Sequence, residues 1–177
     1  MKDPLLLAAK AIVLFLQGTI ALLITMFILA IPASVIMPDR VGSLIAEAFP
    51  QNSLASPTLA VAIFASMMAG LLAVAFWFFE LLRQIVRSVE NGTPFAPENA
   101  VRLTKMGWIA LASQVLQFPV AALAYNVVGG LGQPREGTLT FQTEIEVGVV
   151  LLALILFILA RVFRHGAAMR ADLEGTV

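Results

Sequence analysis

The sequence predicts an all-α integral membrane protein with four transmembrane helices, cytosolic helix extensions and a short outer interfacial helix. Three observations carry that expectation. Hydrophobic residues make up 60% of the 177-residue chain and charged residues 12%, against roughly 45–50% and about 25% in soluble globular domains. The charges fall in clusters that separate long apolar runs, and about 20 such residues cross a bilayer core of about 30 Å. Nearly all the basic residues also lie on one side of those runs. Four crossings with short loops use up the length, so 1-177 reads as one domain with crossings at about 11-33, 57-79, 106-128 and 145-163.

Composition narrows the function classes. With 11 basic and 11 acidic residues the formal net charge is zero, which argues against direct nucleic-acid binding. The absence of cysteine removes disulfides, a thiolate nucleophile and sulfur ligands, and His165 alone cannot build a His-rich metal site. There is no HExxH, no serine with a partner His and acid, and no Gly-rich phosphate loop before a helix. The expectation is a protein that is not an enzyme and carries no cofactor.

Crossing one is uncharged from Ala11 to Met37, with Lys10 placed to snorkel to the headgroups. A cleaved signal peptide is the rival reading, but the run far exceeds the roughly 7–15 residues of a signal core. Val41, Leu44, Ile45, Ala48 and Phe49 then repeat at helical spacing, with Asp39 as N-cap and Pro50 as terminator. Such a helix lies in the outer interface or closes the bundle as a lid.

Crossing two carries two small-residue ridges, Ala62–Ser66–Gly70 and Ala65–Ala69–Ala73. They allow a neighbouring backbone close, within the bundle or in a homo-oligomer. Trp77 with its flanking phenylalanines marks the far interface. Beyond it Leu82, Ile85, Val86 and Val89 continue an apolar stripe, while Glu80–Arg83 and Arg87–Glu90 are spaced to pair.

Ser88 to Trp108 is the only long polar segment between two uncharged runs. Asn91-Gly92 provides a left-handed C-cap and Pro94 bars the helix from resuming. Pro97 starts the next helix, Glu98 complements its dipole, and Phe95 is placed to staple onto Ala100. Crossing three then carries Ser113, Gln114 and Gln117, and Pro119 should kink it. Residues 129–136 form an outer loop, and 138–147 alternate with the period of a strand or of an extended covering segment. Crossing four has only 14 uncharged residues, Val147 to Ala160, or about 21 Å at 1.5 Å per residue. Arg161 must snorkel to rescue it, and counting Ile145 to Phe163 makes it long enough if Glu146 sits among the outer headgroups.

Orientation follows from the basic residues. Nine of them (Lys2, Lys10, Arg83, Arg87, Arg102, Lys105, Arg161, Arg164 and Arg170) fall on one side, against Arg40 and Arg135 on the other. Both termini and the hinge are therefore expected in the cytoplasm. Inside the membrane, Gln17 and Gln114 come to within about 3 Å in depth, and Ser66 lies near the level of Gln117. This layer reads as interhelical glue, at about 0.6 kcal/mol per contact, or as a small-molecule or ion site. No ionisable residue sits deep, as a permeation path would need.

The hinge and tail carry a resemblance. Asn91-Gly92-Thr93-Pro94-Phe95, Glu98-Asn99, Arg102-Leu103, Gly107-Trp108, Val162-Phe163-Arg164, Gly166 and Asp172 to Val177 resemble the bacterial membrane family catalogued as domain of unknown function 2975. Ala96 departs from the Ser-like N-cap of that pattern. The resemblance implies four crossings in the inner membrane, no known enzymatic activity, and a small helix-turn-helix regulator encoded alongside in many such bacteria. The favoured function is a non-enzymatic scaffold or sensor in the lipid bilayer, with a cytosolic docking surface of Gly92, Pro94, Phe95, Glu98, Asn99, Arg102, Arg164, Gly166 and Asp172. The alternative is a small transporter or channel component using Gln17, Ser66, Gln114 and Gln117.

Overall fold

The computed structural model describes residues 4–48, 57–129 and 145–174. They form five helices: α1 (Pro4–Ile36), α2 (Pro38–Ala48), α3 (Pro57–Glu90), α4 (Pro97–Gly129) and α5 (Val147–Glu174). Four of the five begin at a proline, the residue whose fixed φ and missing N–H suit the first helical position. Only Met37 separates α1 from α2. Its N–H still reaches Ala33 O at 3.0 Å, and the chain breaks the helical pattern because Pro38 has no N–H to continue it. The second helix thus starts one residue before Asp39, which sits in the first turn and complements the dipole there. Of the expected strand-like segment 138–147, residues 138–144 lie outside the described part, and Val147 opens α5 instead.

Three helices are long and apolar enough to cross a membrane: Leu6–Ile36, Val61–Glu90 and Val147–Asp172, with mean hydropathies of 2.5, 2.2 and 2.5. The most apolar windows of these spans are only 11%, 6% and 17% buried within the chain. Phe15, Leu22, Leu29, Ile155 and Ile158 all point outward. A water-soluble protein does the reverse, so hydrocarbon is the solvent these surfaces fit. The short fourth run is rescued by helix length, since α5 continues without a break past Arg161 to Glu174. The 33-residue α4 is not among the three spans; it carries Ser113, Gln114 and Gln117 in its middle. At 1.5 Å per residue, helices of 33 and 34 residues run to about 50 Å and outreach a core of about 30 Å.

The chain divides into two compact units. One, the hinge-end unit, holds α1 up to Ile20, α3 from Val74, α4 up to Gln114, and α5. Its core is Leu81, Leu103, Met106, Leu156 and Ala160, walled by Phe78, Ile85, Ile109 and Phe163. Gly107 lets α5 come close to α4: a Cβ there would stand 2.8 Å from Phe157 Cε1. The Phe157 ring meets Trp108 edge-on at 5.4 Å.

The second unit holds the rest of α1, α2, the start of α3 and the end of α4. There Phe27 and Phe64 meet edge-on at 6.4 Å, and Ala65 is buried. The two ridges on α3 do not pack alike. Ser66 and Gly70 are exposed, and nothing lies within 4 Å of a Cβ placed on Gly70. The ridge at Gly70 therefore meets no close backbone among the described residues.

Met106, 2% exposed at the centre of the hinge-end core, is the test of that packing. Met106→Ala should cost about 2–5 kcal/mol and lower the thermal unfolding midpoint in detergent, while Val115→Ala on an exposed surface should leave it unchanged.

Candidate functional site

The hinge, residues 91–96, is built by backbone chemistry first. Gly92 has φ +74°, Thr93 N–H reaches back to Ser88 O at 3.0 Å, and Gly92 N–H to Val89 O at 3.0 Å. These two bonds form a Schellman motif closing α3. Only glycine takes that φ without steric cost. Ala96 supplies no side-chain cap to α4; its carbonyl accepts from Asn99 N–H at 2.9 Å instead.

Asn99 locks the turn from inside. Its side chain is fully buried and makes three links. Its Nδ2 donates to Pro94 O at 2.9 Å and to Ser88 Oγ, and its Oδ1 accepts from Arg102 Nη1 at 2.7 Å. The amide so binds the end of α3, the hinge and the first turns of α4 together.

From Arg102 the polar chain continues along α3. Arg102 Nε donates to Gln84 Oε1 at 3.1 Å, and Gln84 Nε2 donates to Glu80 Oε1 at 3.1 Å. Glu80 also accepts from Arg83, at 2.8 Å on each oxygen, and from Gln17 Nε2 on α1 at 3.0 Å. Both carboxylate oxygens therefore carry two donors each. Sequence reasoning found the Glu80–Arg83 pair but missed Gln84 and Ser88 as members of this chain. The signal was present: Glu80, Gln84 and Ser88 recur at every fourth position, a polar line beside the apolar stripe.

Other pairings differ from the spacing-based expectation. Glu90 takes Lys10 on α1 at 2.9 Å rather than Arg87, so Lys10 is engaged by protein rather than reaching alone for headgroups. Arg102 turns to Gln84 and Asn99. Phe95 packs on α5, a contact its spacing did not indicate. Its ring lies 5.5 Å from that of Phe163, and a Cβ on Gly166 would stand 2.7 Å from Phe95 Cδ1. Of the expected docking residues, the structure thus gathers Gly92, Pro94, Phe95, Asn99, Arg102 and Gly166. Glu98, Arg164 and Asp172 are exposed.

The four residues of the expected membrane layer are divided between the two units. Gln17 is taken by Glu80, and Gln114 Oε1 accepts from Glu146 N–H at 3.3 Å as α5 begins. Ser66 donates to Ala62 O one turn back at 2.7 Å, and Gln117 is half-buried. Among the described residues no group of three His, Asp or Glu is placed to hold a metal ion.

The family described as "Protein of unknown function (DUF2975)" matches residues 4–177. The chain belongs to it. No curated protein and no solved structure matches the chain. The match takes in the hinge, the Asn99 lock and α5 alike, so the resemblance read from the hinge and tail residues holds for the chain from α1 onward.

Two substitutions test the lock. Asn99→Ala removes three links and takes the amide donor from the Pro94 carbonyl, at about 1–3 kcal/mol for a group left unpaired, while Ser88 Oγ keeps its bond to Ile85 O at 2.8 Å; a fall in the unfolding midpoint is expected, and Gln84→Ala should add less than its single-variant effect on top of it. Gly166→Val should force the Phe95 ring aside at about 1–3 kcal/mol, read as a lower midpoint that Phe95→Ala partly restores.

Proposed function

We propose that this protein is a non-enzymatic scaffold or sensor of the bacterial inner membrane, with four crossings and both termini in the cytoplasm, that presents its hinge end to a cytosolic partner. The observation that carries the reading is the joint between the hinge and α5. Phe95 seats against Phe163 and Gly166, and Asn99 fixes the turn that holds it, so residues from α3, α4 and α5 form one preorganised face. Phe95 remains 43% exposed despite that contact, as an aromatic anchor for a partner would be. Exposed Glu98, Arg164 and Asp172 supply a polar rim.

Orientation rests on the nine basic residues that flank the crossings on the hinge side against two on the other. In this reading α4 is the remaining crossing, since its uncharged Met106 to Gly129 is long enough to span. A small helix-turn-helix regulator is the partner proposed, held at the membrane by protein contacts while its own nucleic-acid surface stays free.

Two measurements test this. Single cysteines at Ser53 and Thr138 should label from outside intact cells, and one at exposed Asn91 only after permeabilisation; external labelling of Asn91 would overturn the orientation. Deleting Asp172 to Val177 should leave the unfolding transition in detergent intact while abolishing crosslinking of the regulator, and a truncated protein that still crosslinks it would remove the tail from the docking face.

A further inference from the structure

Between the end of α3 and the start of α4 lies an open cleft of about 300 Å³, lined by Gln84, Arg87, Asn91, Thr93, Glu98 and Arg102 among others. The volume is at the lower end of the roughly 300–1,000 Å³ of small-molecule sites. What sets the cleft apart is its charge. Arg102 hydrogen-bonds to the amide oxygens of Gln84 and Asn99, which fix its guanidinium in place without cancelling its charge. The Arg87 side chain has no hydrogen-bond or ion-pair partner among the described residues, since Glu90 is taken by Lys10 and Glu80 by Arg83. Arginines from two helices thus line one cleft, with Glu98 as the single acid on its lining.

We propose that this cleft binds a phosphate group, anchored by Arg87 and Arg102. Guanidinium matches phosphate oxygens geometrically and by charge, and Asn91 adds a neutral polar group to the lining. Two cations against one acid leave the lining one positive charge in excess, which suits a monoanionic phosphodiester better than a dianion. The position fits a membrane source too. Glu80 is the first charge on α3, and Arg87 lies seven residues on, about 10 Å along the axis, near the outer edge of a headgroup layer about 5–8 Å deep. A lipid headgroup and a soluble phosphate compound share the recognised chemistry. The site shares Arg102 and Glu98 with the proposed docking surface, but its test needs no protein partner and so fails or succeeds separately.

The test uses the full-length protein in neutral maltoside detergent at fixed ionic strength. Its thermal unfolding midpoint is followed against short-chain phosphatidylglycerol in one arm and inorganic phosphate in the other, for the native chain and for Arg87→Gln. The native protein should show a saturable rise, and R87Q, unchanged without additive, should need about ten-fold more for the same rise, equivalent to about 1.4 kcal/mol. A rise confined to the lipid arm assigns the site to a headgroup; a rise with inorganic phosphate and the same R87Q dependence assigns it to soluble phosphate. No saturable rise in either arm, or one that keeps its full size in R87Q, overturns the proposal.

Discussion

The arrangement at the hinge end depends on one buried amide. Asn99 is completely enclosed, and an amide in that position must find partners for both its donor and its acceptor or cost several kcal/mol. It finds them on three different segments: Ser88 at the end of α3, Pro94 in the hinge and Arg102 on its own helix. That requirement fixes how far α4 folds back against α3. The apolar core of Leu81, Leu103 and Met106 supplies close packing but little direction, since apolar contacts tolerate rotation and sliding. The polar lock selects one register out of those the apolar surfaces would accept.

Directional contacts continue from that lock along α3 toward the apolar part of the helix. Arg102, Gln84, Glu80 and Gln17 form an unbroken series of hydrogen bonds across three helices. The two ties from α1 to α3 differ in kind. Lys10 and Glu90 are exposed enough for water and salt to compete, so the pair contributes at most about 1 kcal/mol. Gln17 is buried, and its bond to the doubly filled Glu80 carboxylate is the stronger, charge-assisted one. The attachment of α1 is therefore set mainly at Gln17, with the Lys10 contact trimming its first turns.

How far the sequence discloses this arrangement depends on the range of each interaction. The Schellman turn at Gly92, the proline starts and the Glu80–Arg83 pair all involve residues within five positions of one another, so residue type and spacing suffice to read them. Lys10–Glu90 spans 80 positions, Gln17–Glu80 spans 63 and Arg102–Gln84 spans 18. Nothing local distinguishes Glu90 pairing with Arg87 from Glu90 pairing with Lys10; the packing of α1 on α3 decides it. The same limit covers Phe95, whose neighbours Phe163 and Gly166 lie far along the chain on α5. On α3, the outward ridge at Gly70 and the inward Ala65 have similar composition, and only the partner's position separates them.

The distribution of charge follows from these long-range choices as well. A chain with zero formal charge gives no reason to expect a cationic surface. Yet Glu80 and Glu90, two acids that flank Arg87 on α3, are both spent on other partners, Arg83 and Lys10. Arg102 has an acid four residues before it in Glu98, within ordinary helical pairing distance, but the buried Asn99 and the Gln84 amide hold its guanidinium instead. Neutral hydrogen-bond partners restrain an arginine while leaving its field unscreened at short range. The same bonds that define the register of α3 against α4 thus leave Arg87 and Arg102 on the lining of one cleft at the hinge end, with no acid among the described residues bound to Arg102.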